Sequence, residues 1–488
     1  MNRLVVMKFG GTSVEDAVAI RRTAEIVAGR VRKGLQPIVV VSAMARVTDL
    51  LLSASATAAR GDRASALAIL ERLRIRHHDT ATQLAMRPCD LGDPLAFAKP
   101  DPELVASHAW MDAEFDSLEE ILRGLAAVGE LTPRISDMVV SYGERISSRM
   151  ITEAFVHCGL AAVHVDARQC IVTDAHYGRA IPQDAAIEQR LKIHVAPLTG
   201  DGKVPVMGGF IGATEQGITT TLGRGGSDFT AALVGGGIDA GAIEIWTDVN
   251  GIMTADPRVC PDALRVRIIS FEEAAELAYF GAKVLHPATI LPAVKKNIPV
   301  FVLNSRNPAN GGTRITALAP HCRSPFKSIA VKKRLTIMDI VASRMLLSHG
   351  YLHAIFEVFD RHKCPVDMVS TSEVSVSLSV DSNEKLPAVA ADLSKLADVK
   401  YEGRKALVCM VGENIRGQNG IAARVFQSIR HVNLRMISQG ASEINMSFMV
   451  EEDDADEAVR SLHAEFFQDP DPEIFDRESP LAAVNSKG

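Results

Sequence analysis

The sequence lacks paired cysteines and long apolar runs. Its 7 cysteines are scattered and form no C-x-x-C pair, which argues against a zinc site or a disulfide framework and favours a reducing compartment. It contains no apolar run of about 18 residues, the length that indicates a membrane helix. Lys8 interrupts the apolar start of the chain, which is too short for a secretory signal. These features predict a cytoplasmic protein without a membrane partner.

The sequence also lacks a strong excess of either charge. Lys and Arg number 53 and Asp and Glu number 59, which gives a formal net charge of −6. A nucleic-acid-binding protein is expected to be basic overall or along one face, so nucleic acid is not an expected partner. A small anionic substrate can still bind, because a few backbone amides and cations are enough to hold it.

The length of 488 residues is sufficient for roughly three domains of about 150 residues each. Up to about residue 300, short β-branched runs alternate with helical patterns, which predicts an α/β domain with a mainly parallel sheet between helices. The predicted strands are 4–10, 37–43, 161–166, 204–210, 243–249 and 298–303. The predicted helices are 14–33, 64–85, 103–127, 227–238 and 271–283. A segment rich in Pro, Gly, Asn and Ser (304–325) predicts a break after this domain.

The remaining sequence contains a weak internal repeat. Segments 348–380 and 417–450 each run from a glycine through an amphipathic helix, a short strand and a polar turn to an alternating strand. A further helical pattern follows each copy, at 384–396 and 454–466. This order resembles a tandem pair of ACT modules, which are small ferredoxin-like α+β units that bind amino acids.

Two glycine-rich segments have the features that phosphoryl transfer requires. The segment KFGGTSV (8–14) ends a strand in two glycines before a helix, so backbone amides can face an anion and Lys8 can reach the β- and γ-phosphates. The segment TTTLGRGGSD (219–228) adds a flexible loop, and Ser227 or Asp228 is positioned to cap the helix that follows. No GxxxxGK[ST] pattern occurs, which excludes a P-loop enzyme.

Other segments offer the groups that an amino-acid substrate needs, namely a cation, an anion and short polar side chains. The fork of Arg224 suits a carboxylate. Glu144, in SYGERISSRM, suits an α-ammonium, and Ser42 and Thr48, in VVVSAMARVTDLL, carry hydroxyls after a strand. Phe210, in GGFIGA, could close such a site. Singly these residues are typical of a solvated charge, helix caps and a core ring, but together they favour a binding site.

The segments KFGGTSV, TTTLGRGGSD and WTDVNGIMTADPR (246–258) resemble the aspartate kinases of the amino-acid kinase superfamily. Members of that family transfer the γ-phosphate of ATP to the side-chain carboxylate of aspartate. The resemblance implies an amino-acid kinase fold followed by two ACT modules, ATP with Mg²⁺, feedback inhibition, and a homodimer or dimer of dimers. It also implies a catalytic domain at 1–304, a linker at 305–325, a first ACT module at 342–403, a second at 326–341 plus 404–475, and a tail at 476–488.

The resemblance further implies roles for individual residues. Lys8 and Asp228 would be catalytic, with Asp228 orienting the lysine. The residues that would bind aspartate are Ser42, Thr48, Glu144, Phe210, Arg224, Gly225, Gly226 and Ser227. The residues that would bind ATP are Lys8, Phe9, Gly10, Gly11, Thr247, Asp248, Arg258, Lys283 and Val284. Met253 and Asn250 replace a tyrosine and a proline that are common in the family, so Met253 is not assigned to the nucleotide.

The first ACT module has a candidate site for lysine as effector. A helix start at Gly350 can receive an α-carboxylate, and Asp367 on the next strand suits an ammonium. The resemblance implies that the site comprises Met345, Ser348, Gly350, Leu352, Val366, Asp367, Thr371 and Ser372. The ring of Tyr351, with Met345, can cover the aliphatic chain of the ligand. Leu347 departs from a histidine of some lysine-sensitive members, so threonine, or lysine with threonine, stays open. The second module has Arg435 where the first has Asp367, so it is the poorer site for a cation.

Three other functions can be weighed against this one. A kinase for glutamate or acetylglutamate fits the KFGGTSV start and the tandem modules less well. Fusion to a homoserine dehydrogenase would need a dinucleotide-binding fold, for which the sequence after the repeat is too short. A non-catalytic amino-acid sensor predicts damage at Lys8, Arg224 or Asp228, and all three residues are intact.

Overall fold

Strands and helices alternate along most of the chain. The computed structural model describes residues 3–86, 108–280, 287–341 and 350–476. The strands are β1 (Leu4–Phe9), β2 (Gln36–Val41), β3 (Ala162–His164), β4 (Val172–Thr173), β5 (Val204–Gly208), β6 (Ile211–Thr214), β7 (Thr219–Thr221), β8 (Ala242–Thr247), β9 (Arg265–Val266), β10 (Ile268–Ser270), β11 (Val300–Asn304), β12 (Thr313–Thr316), β13 (Phe326–Val341), β14 (Val366–Thr371), β15 (Ser375–Asp381), β16 (Asp398–Gly412), β17 (Met436–Gln439), β18 (Asn445–Glu451) and β19 (Phe475–Asp476). The helices are α1 (Ala17–Arg32), α2 (Val47–Ala59), α3 (Arg63–Met86), α4 (Ala109–Val128), α5 (Pro133–His157), α6 (Ala167–Cys170), α7 (Asp184–His194), α8 (Ala196–Gly200), α9 (Gly226–Gly237), α10 (Phe271–Tyr279), α11 (Leu291–Lys295), α12 (Tyr351–Arg361), α13 (Leu386–Leu393), α14 (Ile421–Ser428) and α15 (Ala455–Phe466).

These elements form two compact units. The first comprises Met1–Gly251 and Leu285–Ala317, and the second comprises Ile252–Val284 and Leu318–Gly488. The segment Ile252–Val284 falls within the sequence-predicted catalytic domain, yet it packs with the C-terminal elements. A buried ion pair contributes to this packing, because Lys327 Nζ of β13 lies 2.9 Å from Glu273 Oε1 of α10.

The first unit is built on a mainly parallel sheet. Within this unit the strand order is β12-β11-β8-β1-β2-β5-β3, and neighbours run parallel apart from β12, which is antiparallel to β11. The central strands are buried along most of their length, as expected for a sheet covered on both faces. The predicted parallel sheet is therefore confirmed. Strand β12 lies inside the sequence-predicted linker (305–325). There Thr313 and Ile315 are buried and alternate with more exposed residues, as in a strand with one face covered.

The loops after three neighbouring strands lie at one edge of this sheet. Strands β1, β2 and β5 are adjacent and parallel, so their carboxyl ends meet at the edge where open α/β sheets bind ligands. After β1, a 3₁₀ turn at Gly11–Ser13 leads to α1, whose N-cap Asp16 accepts a hydrogen bond from the Ala19 amide at 2.8 Å. The ring of Phe9 stacks on Trp246 with 5.9 Å between centroids, which holds the end of β1 against β8.

The second unit contains an antiparallel sheet to which both halves of the internal repeat contribute. Its strand order is β14-β15-β13-β16-β18-β17. The long strands β13 and β16 pair with each other, while β15 pairs with residues 335–341 of β13 and β18 with residues 405–411 of β16. Helices α12 and α13 cover the first half through a core that includes Ile355, Phe359 and Val389. The repeat in the sequence thus corresponds to two similar halves of one sheet.

The cysteines depart in one respect from the pattern expected of the sequence. The free cysteines Cys170, Cys260, Cys322, Cys364 and Cys409 are buried, and burial raises the pKa of the Cys409 thiol to about 12. Cys158, in contrast, is disulfide-bonded, which the scattered spacing did not predict. Within the described ranges, no helix combines the length and the apolar character that crossing a bilayer requires.

Candidate active site

A cavity of about 370 Å³ opens among the loops that follow β1, β2 and β5. The sequence-predicted residues that line it are Lys8, Gly11, Ser42, Thr48, Glu144, Phe210, Gly225, Gly226, Ser227 and Asp228. These residues come from five separate segments of the chain and from both predicted chemical sets, phosphate-binding and amino-acid-binding. The fold therefore brings residues of both predicted sets to one cavity.

An ion pair joins the two predicted catalytic residues at the cavity. Lys8 Nζ lies 2.6 Å from Asp228 Oδ1, and the two side chains are only 12% and 16% exposed. Asp228 lies in the first turn of α9, after the left-handed N-cap Gly225 (φ 70°). The predicted capping of this helix by Ser227 or Asp228 is wrong, because the helix already begins at Gly226 without a side-chain cap. Asp228 is consequently free to hold Lys8 beside the glycine turn.

Close backbone packing explains the glycines around the cavity. A Cβ on Gly209 would lie 2.7 Å from Ser227 Cβ, and a Cβ on Gly226 would lie 2.7 Å from the Phe210 ring. Phe210 itself adopts a left-handed backbone (φ 65°), which is rare for a bulky residue. Its amide donates a hydrogen bond to Thr230 Oγ1 at 3.0 Å. This conformation places the aromatic ring directly against the glycine-rich loop.

Glu144 presents a buried carboxylate to the cavity. It lies on α5 and is 3% exposed, and its Oε1 accepts a hydrogen bond from the Ala43 amide at 3.2 Å. Its Oε2 is buried and accepts no hydrogen bond from the part of the chain that the structure describes. Burial raises the pKa of Glu144 to about 8. Because an unpaired buried carboxylate oxygen is costly, this atom indicates the position of a cationic ligand.

Hydroxyl groups also line the cavity. Ser42 Oγ donates a hydrogen bond to Ser227 Oγ at 3.1 Å, which joins the loop after β2 to the start of α9. Ser147 Oγ donates to the Ser42 carbonyl at 2.8 Å and so fixes that loop on α5. Thr48 lies in the first turn of α2, after Arg46, whose left-handed φ of 68° makes the turn into the helix. Short donors are thus available for a carboxylate.

Asp137, which was not predicted from the sequence, accepts hydrogen bonds that support the start of the glycine-rich loop. Its carboxylate is 2% exposed and accepts hydrogen bonds from the Gly178 amide, from the Thr221 amide at 2.9 Å and from Thr221 Oγ1 at 2.7 Å. Burial raises the pKa of Asp137, and this effect outweighs the hydrogen bonds from Gly178 and Thr221, which lower it. Thr221 directly precedes Leu222 and Gly223, so Asp137 anchors the end of β7. A carboxylate within the apolar helical pattern was the available signal.

The predicted ATP-binding residues of the first unit lie at adjacent strand ends. Phe9 pairs with Trp246 across β1 and β8, and the Gly10 amide donates to the Trp246 carbonyl at 3.0 Å, which places Thr247 beside the glycine turn. Thr247 Oγ1 donates to Asp248 Oδ1 at 3.2 Å. The Phe9 ring is fully buried, so only its backbone is available to a nucleotide.

Two further predicted residues are exposed, and two are not described. Arg224 is exposed, and none of the ion pairs within the described ranges involves it. Arg258 belongs to the second unit, where its 90% exposed side chain lies 2.6 Å from Asp256. Lys283 and Val284 lie outside the described residues.

The predicted effector residues lie in the second unit. Gly350 is the N-cap of α12 with φ 79°, and Tyr351 and Leu352 begin the helix. The strand β14 carries Val366, Asp367 and Thr371, and Ser372 follows it. The Asp367 carboxylate is ion-paired with Lys332 of β13. Met345 and Ser348 lie outside the described residues.

Comparisons with known proteins identify the family to which the chain is similar. The profile of the amino acid kinase family matches residues 3–304, and that of the ACT domain matches residues 408–466. Lysine-sensitive aspartokinase 3 of Escherichia coli (strain K12) is 36% identical over 488 residues, which cover 96% of this chain and 100% of the relative. The crystal structure of E. coli aspartokinase III with aspartate and ADP (R-state) has a TM-score of 0.78 at 35% identity and covers 95% of this chain and 100% of its own. The same enzyme with lysine and aspartate (T-state) has a TM-score of 0.80 at 35% identity and covers 96% and 100%. The predicted fold class, an amino-acid kinase fold with ACT modules, is confirmed.

Proposed function

The chain belongs to the aspartokinases of the amino acid kinase family, and we propose that the cavity around Lys8, Glu144 and Asp228 is where it phosphorylates aspartate. The observation that carries this proposal is the buried Oε2 of Glu144, which lacks a hydrogen-bond donor among the described residues. The α-ammonium of aspartate would supply both the donor and the opposite charge. Binding would then favour the ionised form of Glu144 and would release the proton that burial retains.

The remaining groups of aspartate find partners in the same cavity. The hydroxyls of Ser42, Thr48 and Ser227 would hold the side-chain carboxylate that reacts. The guanidinium of Arg224 would reach in from the exposed loop and bind the α-carboxylate with its two-pronged fork. Gly225 and Gly226 would contribute backbone amides. The Phe210 ring would limit the depth of the site and so favour a short amino acid.

The γ-phosphate of ATP would be transferred beside Lys8. The amides at Gly10 and Gly11 would face the phosphates, and the Lys8 ammonium, oriented by Asp228, would stabilise the charge that develops on the transferred group. Phe9 would contribute its backbone, while Thr247 and Asp248 are proposed to contact the rest of the nucleotide. Arg258, Lys283 and Val284 stay predictions for that role.

Magnesium is proposed to enter with ATP. Mg²⁺ takes most of its ligands from phosphates and water and adds one or two carboxylates. Asp49 and Asp228 both line the cavity and have the oxygen donors that this ion prefers. The ion would neutralise charge on the transferred phosphoryl group.

An aspartokinase with ACT domains is regulated allosterically, and we propose lysine as the effector of this chain. The E. coli aspartokinase III structure in the T-state contains lysine. In this chain, the first turn of α12 after Gly350 offers backbone amides to an α-carboxylate, and Asp367 offers a carboxylate to an ammonium. Threonine, or lysine with threonine, is the alternative effector.

The assembly and location are likewise proposals. Among the described strands, β14 and β17 are the outermost of the six-stranded sheet, and outer strands are a common place for pairing between chains. A closed homodimer or a dimer of dimers is therefore proposed. A cytoplasmic location is proposed from the sequence pattern.

The aspartate site is tested by replacing Glu144 with glutamine. Glu144→Gln keeps the shape but removes the charge, and we expect kcat/KM for aspartate to fall by roughly 30-fold or more, because losing one member of a buried charge pair costs about 2–5 kcal/mol. The KM for ATP should change little. ATP-dependent aspartyl hydroxamate formation measures both constants.

The matched control is Glu153→Gln on the same helix. Glu153 also has a pKa raised by burial, but it lies beside Arg149 and does not line the cavity. The control should behave like the wild type. If Glu144→Gln leaves aspartate kinetics unchanged, or weakens ATP and aspartate equally, the assignment of the cavity is wrong.

A further inference from the structure

Asp367, the residue proposed to bind the ammonium of an effector, already has a cation beside it. Lys332 Nζ of β13 lies 2.9 Å from Asp367 Oδ1 and 2.8 Å from Asp367 Oδ2, so it engages both carboxylate oxygens. The Asp367 side chain is only 5% exposed and that of Lys332 is 22% exposed. The pair is thus largely withdrawn from solvent, and it links the first repeat to the long strand β13.

The surroundings of this pair show why the cation stays charged. Lys332 Nζ also lies 3.1 Å from Asp381 Oδ1 at the end of β15. Burial alone would lower the pKa of Lys332, but the hydrogen bonds to Asp367 and Asp381 outweigh it and raise that pKa. The Tyr279 hydroxyl of α10 donates a hydrogen bond to Asp367 Oδ1 at 3.5 Å. Lys332 therefore presents to Asp367 the same charged side chain that free lysine carries.

An arriving ammonium and Lys332 would compete for one carboxylate. If Lys332 stayed in place, two cations would lie within a few ångströms of each other in a poorly solvated site, and like charges at that distance repel strongly. If Lys332 left, its charge would keep only the more exposed Asp381 as a partner. In the first case repulsion weakens binding. In the second, the ligand binds only to the fraction of molecules in which Asp367 is released, and its apparent affinity is reduced by that fraction.

We propose that Lys332 is an internal competitor of the cationic effector and sets the concentration at which the effector acts. The inference rests on the proposed lysine site, and it adds a residue that determines the sensitivity of that site. Lys332 occupies Asp367 in the effector-free state and must be displaced when the effector binds. Removing its charge should therefore make the enzyme more sensitive to lysine.

Four variants of the full-length enzyme test this inference. Lys332→Met removes the charge and retains most of the stem, Lys332→Gln does so with a polar end, and Lys332→Arg retains the charge. The matched control is Lys333→Met, because Lys333 neighbours Lys332 on β13 but pairs with Asp456 at 2.7 Å. Lysine binding is measured by calorimetry at pH 8, and inhibition is measured relative to the uninhibited turnover of each variant.

We expect Lys332→Met and Lys332→Gln to lower both the Kd for lysine and the half-inhibiting concentration by roughly tenfold, the scale of a typical allosteric coupling. Lys332→Arg and Lys333→Met should stay near the wild type. If Lys332→Met does not fold, the Kd for lysine and the half-inhibiting concentration are compared between Lys332→Gln and Lys332→Arg instead.

The contrary outcomes separate this inference from the proposed effector site. If the wild type binds lysine and the neutral variants bind it equally or more weakly, Lys332 supports the site and the inference is overturned while the site stands. If neither the wild type nor the neutral variants bind lysine, both the lysine site and the inference are overturned.

Discussion

Glu144 should release a proton when aspartate binds. Its pKa of about 8, raised by burial, means that about nine in ten of these carboxyls are protonated at pH 7 and about half at pH 8. The α-ammonium of aspartate would lie beside the unpaired Oε2 and would require the ionised form. Binding should therefore release about 0.9 protons at pH 7 and about 0.5 at pH 8.

The same equilibrium fixes the sign and size of the pH dependence. Protonation of Glu144 opposes binding, so the apparent Kd for aspartate should fall as the pH rises toward and through the folded-state pKa. With a pKa of about 8, the competing proton weakens binding about 11-fold at pH 7 and about twofold at pH 8. The apparent Kd should consequently fall about fivefold between these two pH values.

Calorimetry in two buffers with different ionisation enthalpies measures the number of protons released. Glu144→Gln should abolish the release and flatten the pH dependence, whereas Glu153→Gln on the same helix should retain both. Aspartate binding without proton release at pH 7 would show that Glu144 is already ionised or does not meet the ammonium, and the reasoning from its burial would fail.

Three further substitutions test the roles of Arg224, Asp137 and Asp367. Arg224→Lys keeps the charge but loses the two-pronged hydrogen bond. The activation free energy that corresponds to kcat/KM for aspartate should therefore rise by about 1.5–3 kcal/mol, while the KM for ATP stays unchanged. The reverse pattern would place Arg224 with the phosphates. Asp137→Asn should destabilise the protein by about 1–3 kcal/mol in urea unfolding, because the amide nitrogen cannot accept the hydrogen bonds from Gly178 and Thr221; an unchanged unfolding midpoint would contradict the anchoring role. Asp367→Asn should raise the lysine concentration needed for half-inhibition by roughly tenfold or more, and equal sensitivity to lysine would remove this carboxylate from the effector site.

Local sequence patterns were sufficient to predict the parallel sheet and much of the cavity. The buried central strands consist of consecutive β-branched residues, and this pattern is visible without any tertiary contact. Glycines beside Lys8, Arg224 and Asp228 indicated close approach of a backbone to an anion. The joint presence of Glu144 and the hydroxyls then favoured an amino acid as the second substrate.

Contacts between distant segments were not predictable in the same way. Asp137 accepts its hydrogen bonds from residues 41 and 84 positions away, so its own helix shows a carboxylate in an apolar pattern without indicating which groups that carboxylate holds. The left-handed backbone of Phe210 depends on packing against Gly226 and on the hydrogen bond to Thr230. Strand β12 was hidden because its four residues lie among turn-forming residues. The ion pair of Lys332 with Asp367 likewise joins separate strands.

Single-turnover phosphoryl transfer from ATP to aspartate by a Lys8→Ala variant tests directly whether this cavity is the site of transfer. Lys8 is held 2.6 Å from Asp228 at the edge of the cavity, and losing a preorganised cation beside the transferred group should slow the chemical step by a factor on the order of 10²–10³. The control Lys33→Ala removes an exposed lysine from the C-terminal end of α1 and should leave the rate unchanged. A folded Lys8→Ala enzyme that transfers phosphate within a few-fold of the wild-type rate would contradict the assignment of this cavity as the site of transfer.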